Sequence, residues 1–338
     1  MIERAIYNIL AGRHLDLDTT KAVMTEMMEG KATDSQMGAF LAAMRLKGET
    51  IEEITACAEV MRAKCMRISP KTDVLDIVGT GGDELFSFNI STVSAFVVAA
   101  GGVPVAKHGN RSVSSKCGSA DVLEALGANI SLTAGQNERV LNEAGMCFML
   151  AQVYHSAMKY VAHVRKELSV RTIFNILGPL ANPAGATLQL LGVYDENLVE
   201  PLARVLSNLG VKRAMVVHGH DGLDEITLTG ASTICEVADG MVNSYFITPE
   251  QFGLPRCFIG DLTGGGPKEN AEIARRILSG EKGPKRDTVV LNAACCLYMG
   301  KNNVTMRECV RMAQDLIDSG KAMEMLESFV SATNEAAA

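Results

Sequence analysis

Glycines, hydroxyls and cations are concentrated between Asp76 and Asp121, a composition suited to binding phosphate. An apolar run of strand type is followed directly by three glycines, at Gly79, Gly81 and Gly82. Glycine permits positive φ and lets the backbone approach a ligand closely. The expected N-cap of the next helix is Asn89 or Ser91. Because a helix start presents unpaired N–H groups and the positive end of its dipole, this loop predicts an anion site.

A second apolar run of strand type leads into a further set of polar side chains. This set comprises Lys107, His108, Asn110, Arg111, Ser112, Ser114, Ser115 and Ser119. Two cations and several hydroxyls at the end of one strand can neutralise and hydrogen-bond a polyphosphate.

Spacing excludes the two commonest nucleotide loops. A Walker loop closes with Gly-Lys followed by Ser or Thr, whereas Gly82 is followed by Asp83 and Glu84. A dinucleotide-binding fingerprint fits Gly79 and Gly81, but its third glycine position is occupied by Glu84.

Two adjacent carboxylates, Asp224 and Glu225, lie in a glycine-flanked segment, His218–Gly230, just after another apolar strand. Mg²⁺ in proteins is commonly held by one or two carboxylates, with water and substrate phosphates completing its shell. For this segment alone a solvated acidic turn is the more common explanation. Beside a phosphate loop a metal site is favoured, because the cation allows a polyanion and carboxylates to approach each other.

Two segments between these motifs are basic or rigid. In the first, His155, Lys159 and His163 are predicted to share one helical face, and Arg165 can hold a carboxylate in a bidentate fork. Zinc is not expected there, because no His-Glu-x-x-His motif is present. The second, Arg171–Gly185, contains Gly-Pro and Asn-Pro pairs and is expected to connect two domains without direct chemistry.

Composition limits the classes of function. The 338 residues carry a formal net charge of −7, which argues against general affinity for nucleic acid or an anionic membrane surface. No apolar run reaches the roughly 20 residues needed to span a membrane. The nine cysteines include no Cys-x-x-Cys pair, which suits free thiols in a reducing, cytoplasmic environment.

The elements that position these motifs form an α/β pattern with a helical N-terminus. Residues 1–70 are predicted to form a helical domain, with capping boxes at Thr33 and Thr50 and helix ends at Gly30 and Gly48. Residues 71–338 are predicted to form an α/β domain with a mostly parallel sheet. Its predicted strands are Val74–Val78, Val103–Ala106, Leu188–Val193 and Ala214–Val217, with a helix at Glu200–Leu209, a hairpin at Asp239–Gly240 and three helical segments from Asn270 onward.

Five motifs, in this order and spacing, resemble the anthranilate phosphoribosyltransferase family. They are GTGGD at 79–83, NIST at 89–92, KHGNRSVSSKCGSAD at 107–121, VRKEL with RTIFNILGPLANPA at 164–184, and VHGHDGLDEITLTG at 217–230. The resemblance implies a nucleoside phosphorylase/phosphoribosyltransferase-like fold, in which a small helical domain, joined by a helical segment near 165–185, lies on a larger α/β domain. It also implies a homodimer formed through the helical part.

The implied reaction belongs to tryptophan biosynthesis and depends on Mg²⁺. It transfers the 5-phosphoribosyl group from phosphoribosyl pyrophosphate (PRPP) to the amine of anthranilate and releases pyrophosphate. Association with an anthranilate synthase is also allowed by the resemblance.

The resemblance also assigns site residues. Those implied to bind PRPP are Gly79, Gly82, Asp83, Ser87, Asn89, Ile90, Ser91, Thr92, Lys107, His108, Gly109, Asn110, Arg111, Ser112, Val113, Ser114, Ser115 and Ser119. Those implied to contact anthranilate are Gly79, Asn110 and Arg165, and two Mg²⁺ ions would be held by Ser91, Asp224 and Glu225. Lys107 would neutralise the departing pyrophosphate, while His108 would accept the released proton or form a hydrogen bond nearby.

The chain departs from the family pattern at three positions. Glu84 stands where Gly is common, Ser87 where Thr is usual and Cys117 where Ser is usual. Glu84 adds negative charge beside a polyanion site, and Cys117 is expected to be packed rather than reactive. The alternatives are a pyrimidine nucleoside phosphorylase-like enzyme that uses free phosphate and a non-catalytic nucleic-acid-binding paralogue, which would lack the acidic pair and have a basic surface.

Overall fold

A computed structural model describes residues 1–112 and 115–338 of the chain. Two of the predicted PRPP ligands, Val113 and Ser114, lie outside the described residues. The predicted fold class is confirmed: a helical N-terminal part is joined to an α/β part with a mostly parallel sheet.

Four ends of the N-terminal helices lie at or next to the residues that the local sequence signals predict. The helices are α1 (Ile2–Leu10), α2 (Leu17–Met28), α3 (Asp34–Lys47) and α4 (Ile51–Lys64). Capping boxes are present at Thr33 and Thr50, each with reciprocal hydrogen bonds to the residue three positions later. Gly30 and Gly48 follow helices with φ of 69° and 84°, a conformation that glycine adopts without steric cost.

The sheet has seven strands in the order β3-β2-β1-β4-β5-β6-β7. The strands are β1 (Leu75–Gly79), β2 (Val105–Gly109), β3 (Met146–Leu150), β4 (Leu188–Gly192), β5 (Arg213–Gly219), β6 (Ser232–Ala238) and β7 (Met241–Ile247). Strands β1 to β5 pair in parallel, whereas β6 and β7 are antiparallel. The predicted hairpin is confirmed, because Asp239 and Gly240 connect β6 to β7 with φ of 51° and 76°.

The larger part contains eleven α-helices within the described residues. They are α5 (Ile90–Ala100), α6 (Ser119–Ala125), α7 (Ala134–Ala144), α8 (Ala151–Tyr154), α9 (Ala162–Leu168), α10 (Phe174–Leu180), α11 (Val199–Asn208), α12 (Pro267–Leu278), α13 (Pro284–Gly300), α14 (Met306–Asp318) and α15 (Lys321–Ala337). The prediction of three helical segments from Asn270 was wrong, since four are present and the first begins at Pro267. Gly280 and Gly283 separate α12 from α13, which begins at Pro284, so the region contains one helix more than predicted.

The predicted helical face with His155, Lys159 and His163 was also wrong. The chain bends at His155 (φ −113°, ψ 58°), so a short 3₁₀-helix, Ser156–Tyr160, separates α8 from α9. The side chain of His155 is buried beside the sheet, whereas His163 is exposed and pairs with Asp34. Burial of the histidine therefore overrides the helical spacing.

Two apolar clusters cover the two faces of the sheet. Alternate strand residues divide between them: Leu190 and Val217 pack in one cluster, Leu191 and Val216 in the other. The first cluster contains α5 and the C-terminal helices. The second joins α10 and α11 to the N-terminal helices, so the helical part has no separate core. Among the described residues no helix is long and apolar enough to cross a bilayer.

The strand order identifies one edge of the sheet as the place for a ligand. From β1 the chain moves to β2 and β3 on one side and then to β4 on the other side. Ligands of open α/β sheets bind outside the carboxyl ends of the strands at such a reversal. The glycines Gly79 and Gly192 end the two strands, β1 and β4, that flank this point.

Candidate active site

The glycine loop (residues 80–88), which follows β1, packs directly against the acidic loop (residues 220–230), which follows β5. The Gly81 N–H donates to Oδ2 of Asp224 at 2.7 Å. A Cβ on Gly79 would lie 2.3 Å from the same oxygen, and a Cβ on Gly192 would lie 1.6 Å from the Asp224 carbonyl oxygen. Glycine is therefore required at both strand ends, because a side chain at either would displace the acidic loop.

The predicted anion site at the start of α5 is occupied by a carboxylate of the protein. The Ser91 N–H donates to Oε1 of Glu225 at 3.1 Å. Lys107 is 1% exposed; its Nζ donates to the Ile77 carbonyl and lies 3.3 Å from Oγ of Ser91. A ligand at this helix start would therefore lie beside both a carboxylate and a buried cation.

Burial dominates the electrostatics of this region. Asp224 and Glu225 are 9% and 7% exposed. Burial raises the pKa of Glu225 to about 7, although the Lys107 charge opposes the shift. Burial, with the negative charges of Asp83 and Glu225, raises the pKa of Asp224, and burial lowers the pKa of Lys107. Adjacent buried carboxylates of this kind are stabilised by a cation.

The donor set fits Mg²⁺ bound together with phosphate. No three or more His, Cys, Asp or Glu side chains converge on a point in residues 1–112 and 115–338, so the described chain offers no complete cage. Mg²⁺ typically uses one or two carboxylates, with waters and substrate phosphates. The Ser91 hydroxyl, Asp224 and Glu225 are such a partial set, and nearby Oδ2 of Asp83 is buried without a partner in the described protein.

Further buried polar atoms face no protein partner among the described residues. They include Oγ1 of Thr92 and Nε2 of His108. Buried polar groups usually hydrogen-bond to protein, water or ligand. Ile90, by contrast, is part of the apolar core.

A pair of buried histidines lies beside this site. The rings of His108 and His155 are 5.0 Å apart between centroids. Burial is the main reason that the pKa of His108 falls to about 3 and that of His155 to about 4. Both rings are therefore neutral near pH 7, and His108 is poorly suited to retain a proton.

Arg165, on α9, is a cation without an acidic partner in the described part of the chain. Its guanidinium carbon lies 5.3 Å from the centre of the Phe174 ring. Burial lowers the pKa of Arg165 without making the group neutral. A half-buried guanidinium packed on an aromatic ring fits an aromatic carboxylate.

The segment after β2 is held by its own carboxylates. Nη1 of Arg111 is 3.1 Å from Oδ1 of Asp121 and 2.8 Å from Oε2 of Glu124. Asp121 also accepts the N–H groups of Ser112 and Gly118, each at 2.9 Å. A phosphate would have to replace these carboxylates before it could bind Arg111 in this conformation.

The remaining predicted residues of that segment lie close together. A Cβ on Gly109 would lie 2.2 Å from Oγ of Ser119, and this hydroxyl donates to the Asn110 carbonyl at 3.3 Å. The Asn110 side chain is exposed, and the hydroxyls of Ser112 and Ser115 are 3.0 Å apart.

Asn270, which sequence reasoning missed, connects three loops of the site. Its Nδ2 donates to Oδ1 of Asn89 at 2.9 Å, and its Oδ1 accepts the Gly265 N–H at 2.7 Å. The amide of Asn89 in turn donates to the Cys117 carbonyl at 3.1 Å. Asn89 occupies the predicted N-cap position of α5, but its side chain joins the loops instead of accepting a capping hydrogen bond.

Two other missed residues are charged. Nη2 of Arg171 donates to the Gly82 carbonyl at 2.6 Å, and its guanidinium stacks 4.0 Å from the Tyr194 ring. Asp76, fully buried on β1, accepts the His108 N–H at 3.1 Å, and burial raises its pKa to about 6. The segment expected to lack chemistry thus contributes Arg171, which supports the glycine loop. No motif in the sequence pointed to either contact.

The three departures from the family pattern have structural explanations. Glu84 is exposed and has φ of 59°, a conformation that glycine adopts more easily, and its side chain is directed to solvent. Ser87 forms an isolated antiparallel bridge with Thr263. Cys117 is buried, which raises the pKa of its thiol to about 11, so it is a packed residue rather than a reactive thiolate.

Family comparisons divide the chain at the same place as the fold. Residues 3–65 match a glycosyl transferase family helical bundle domain, and residues 71–323 match the α/β domain of the same family.

Three similar proteins, each matched over nearly its full length, share one name. The chain is 69% identical over 334 residues to the anthranilate phosphoribosyltransferase of Ruminiclostridium cellulolyticum, covering 99% of this chain and 98% of that protein. The crystal structure of anthranilate phosphoribosyltransferase from Thermus thermophilus is 42% identical, covers 98% of this chain and 99% of its own, and has a TM-score of 0.93. The Saccharomyces cerevisiae enzyme in complex with PRPP and Mg is 27% identical, covers 99% and 98% of the two chains, and has a TM-score of 0.89.

Proposed function

The chain belongs to the anthranilate phosphoribosyltransferase family, and we propose on that basis how its residues carry out the reaction. It transfers the 5-phosphoribosyl group of PRPP to the amine of anthranilate, giving N-(5-phosphoribosyl)anthranilate and pyrophosphate. The observation that carries this function at the site is the contact of the glycine loop with the acidic pair, through Gly81 and Asp224. It joins a phosphate loop to metal-binding carboxylates, as PRPP chemistry requires.

PRPP lies across the glycine loop, the start of α5 and the segment after β2. Backbone N–H groups of the glycine loop near Gly82 bind its phosphates. The Thr92 hydroxyl, which has no described protein partner, is available to it. Lys107 contributes positive charge from the protein interior. Its ammonium group is buried and lies 3.3 Å from the Ser91 hydroxyl. A charge in such a low-dielectric position acts more strongly than one in water.

Ser91, Asp224 and Glu225 would hold Mg²⁺, with two ions per chain. The bound metal would supply positive charge that stabilises the departing pyrophosphate. The protein keeps the two carboxylates together through the Gly81 and Ser91 N–H groups.

Anthranilate is held by its carboxylate. Arg165 is the half-buried cation without a described acidic partner, and its guanidinium can form a bidentate pair with the substrate. Gly79 ends β1 and Asn110 follows the neighbouring strand β2, and we assign both to the same substrate.

The reaction is one substitution at ribose C1, in which the amine of anthranilate replaces pyrophosphate. The amine nitrogen donates its lone pair to C1, the bond from C1 to pyrophosphate oxygen breaks with its electrons, and the amine loses a proton to solvent. Catalysis is mainly alignment and charge stabilisation. His108 positions the acceptor by a hydrogen bond rather than retaining the proton, because its pKa is about 3.

The protein acts in the cytoplasm as a homodimer, associated through its helical part, and an anthranilate synthase is a candidate partner. Exposed apolar residues on α1 and α3, including Tyr7, Leu10 and Leu46, support association at that surface.

The test is the consumption of anthranilate with PRPP at varied Mg²⁺, compared with phosphorolysis of thymidine and uridine. We expect Mg²⁺-dependent loss of anthranilate, and Asp224→Asn with Glu225→Gln should abolish it by weakening PRPP binding. Activity of that double variant at limiting Mg²⁺ equal to that of the unmodified protein would refute the metal assignment. Turnover of the nucleosides instead would refute the function.

A further inference from the structure

On the N-terminal side of Asp224, the side chain of Asp221 stabilises the acidic loop through hydrogen bonds. Oδ2 of Asp221 accepts the hydroxyls of Thr227 and Thr229, each at 2.7 Å, and its Oδ1 accepts the Leu223 N–H at 3.1 Å. The same carboxylate therefore binds residues on both sides of the acidic pair. Within the described chain Asp221 forms no ion pair with Lys, Arg or His, so all its hydrogen bonds stay within the loop.

The loop is fastened on the other side by Asn292, from helix α13. Its Nδ2 donates to the Ile226 carbonyl at 2.8 Å, and its Oδ1 accepts the Ile226 N–H at 3.1 Å. The amide thus pairs with both backbone groups of the residue next to Glu225, as a neighbouring strand would. It also donates to the Thr288 carbonyl at 2.9 Å.

Asn292 is a polar residue in a buried and otherwise apolar stretch of α13. It is fully buried among apolar residues from Val289 to Leu297. A buried amide is costly unless it is hydrogen-bonded, and the partners of this one lie in the acidic loop and in its own helix. Its place in the core is explained by what it does to the loop.

The hydrogen bonds of Asp221 and Asn292 oppose the tendency of the two neighbouring carboxylates to separate. Asp224 and Glu225 are adjacent and buried, so when both are ionised, as metal binding requires, repulsion and the gain in hydration would move them apart and toward solvent. Asp221 closes the loop into a tight turn, and Asn292 fixes its end to the core. The turn is tight enough that a Cβ on Gly219 would lie 2.5 Å from Oδ1 of Asp221.

We propose that Asp221 and Asn292 are positioning residues that hold Asp224 and Glu225 in the geometry that binds Mg²⁺. The inference rests on the proposed function of that pair as the metal ligands. Residues that orient metal ligands typically change metal affinity or activity by roughly 10–100-fold when they are removed.

The test uses Asp221→Asn and Asn292→Leu in the full chain, with Asp16→Asn as matched control. Asp16 accepts a backbone N–H at 2.7 Å and a hydroxyl at 3.1 Å from Thr19, far from the site in sequence and in the helical part. Two quantities are measured: hydrogen exchange of the Leu223 and Ile226 amides without metal, and the Mg²⁺ concentration for half-maximal activity with PRPP.

We expect faster exchange at both amides and a half-saturating Mg²⁺ concentration raised roughly 10–100-fold, with activity largely recovered at high Mg²⁺. The control should leave both quantities unchanged. If a buried variant fails to fold, Thr229→Val removes one donor to Asp221 from a half-buried position and should shift both quantities in the same direction by less.

Unchanged amide exchange and unchanged Mg²⁺ dependence in folded variants would overturn this inference. So would lower thermal stability alone, because a merely structural contact predicts that result. Failure of the proposed function is distinguishable, since the unmodified protein would then show no Mg²⁺-dependent reaction of anthranilate with PRPP.

Discussion

At the scale of residues, the site is defined by an excess of buried negative charge. Asp76, Asp224 and Glu225 are buried, and Lys107 is the buried cation beside them. Removing charges from water is costly unless close partners compensate. The raised pKa values of the three carboxyls express this imbalance. A divalent cation and the cationic lysine together explain how such a group can remain buried.

The raised pKa of Glu225 predicts a pH dependence of stability without metal. Its native pKa is about 7 against 4.5 for the free side chain, so the native state retains a proton that the unfolded chain releases. The stability contributed by this group is complete below about pH 4.5 and is lost as the pH rises toward 7. Denaturant unfolding in a chelator should therefore show that Glu225→Gln gains stability relative to the unmodified protein over this range. A constant difference between the two proteins would contradict the prediction.

Arg165 predicts a selective effect on one substrate. A hydrogen bond to a charged group contributes about 1.5–3 kcal/mol, so Arg165→Ala should raise the KM for anthranilate roughly 10–100-fold and that for PRPP much less. Steady-state kinetics with each substrate varied measure both. Arg204→Ala is a control, because among the described residues Arg204 forms an ion pair with Glu200 alone, on the exposed face of α11. Equal effects on both substrates would count against the assignment.

Glu84 predicts two separable effects. Its φ of 59° costs a non-glycine residue about 1–2 kcal/mol, part of which glycine regains as flexibility of the unfolded chain. Glu84→Gly should therefore raise the free energy of unfolding by up to about 1 kcal/mol. Glu84→Gln, which removes only the charge, should leave stability unchanged and lower the KM for PRPP slightly. Denaturant unfolding and kinetics distinguish them, and a destabilised glycine variant would be the contrary result.

At the scale of elements, the site is an assembly of loops that strands and helices bring together. Strand β1 ends at Gly79, β4 at Gly192 and β5 at Gly219, so three glycines surround the acidic loop. Helix α13 supplies Asn292, which binds the backbone of the acidic loop, and the start of α12 supplies Asn270, which binds Asn89. The precision of the site therefore depends on packing of helices that hold no predicted ligand.

Asn270 predicts a coupled loss of stability and substrate binding. Asn270→Ala leaves Asn89 and the Gly265 N–H without their partner and should cost about 1–3 kcal/mol of stability. The KM for PRPP should rise because Asn89 is no longer oriented. Thr333→Val is the control, since the buried Thr333 hydroxyl accepts the Asn129 N–H away from the site. If both variants lose stability equally and neither changes the KM, the orienting role is wrong.

At the scale of the whole molecule, the helical part is continuous with one face of the sheet. Met24 and Phe40 share an apolar cluster with Leu177 and Leu202. Arg62, on α4, donates to the Leu180 carbonyl at 2.7 Å and the Leu209 carbonyl at 3.2 Å, so it binds the ends of two helices of the larger part. The same cluster includes Val164 of α9, the residue next to Arg165, and so connects α9 to the sheet.

The proposed homodimer gives a prediction at this scale. Hydrogen bonds of Gln36 to Glu3 and of Lys47 to His14 show that α1 and α3 run side by side in the same direction. Leu46 is 87% exposed there, and Leu46→Glu should convert a dimer to monomers in sedimentation experiments. Phe258→Glu, at an 85% exposed position of the larger part, should leave the dimer intact. A monomeric unmodified protein would refute the interface.

Sequence alone determined those features that depend on neighbouring residues. The capping boxes at Thr33 and Thr50, the turn at Asp239 and the chemistry of the glycine loop follow from local backbone preferences. The family motifs identified the reaction because each motif is also a short run of neighbouring residues.

Only the tertiary structure decided which of these residues meet. Gly81 and Asp224 are 143 positions apart, and Ile226 and Asn292 are 66 apart. Likewise, the pairing of Arg111 with Glu124 and the bend at His155 depend on what packs beside them. Local preferences are set by a few covalent neighbours, whereas charge compensation and hydrogen-bond partners across the site depend on strand order and burial of the whole chain.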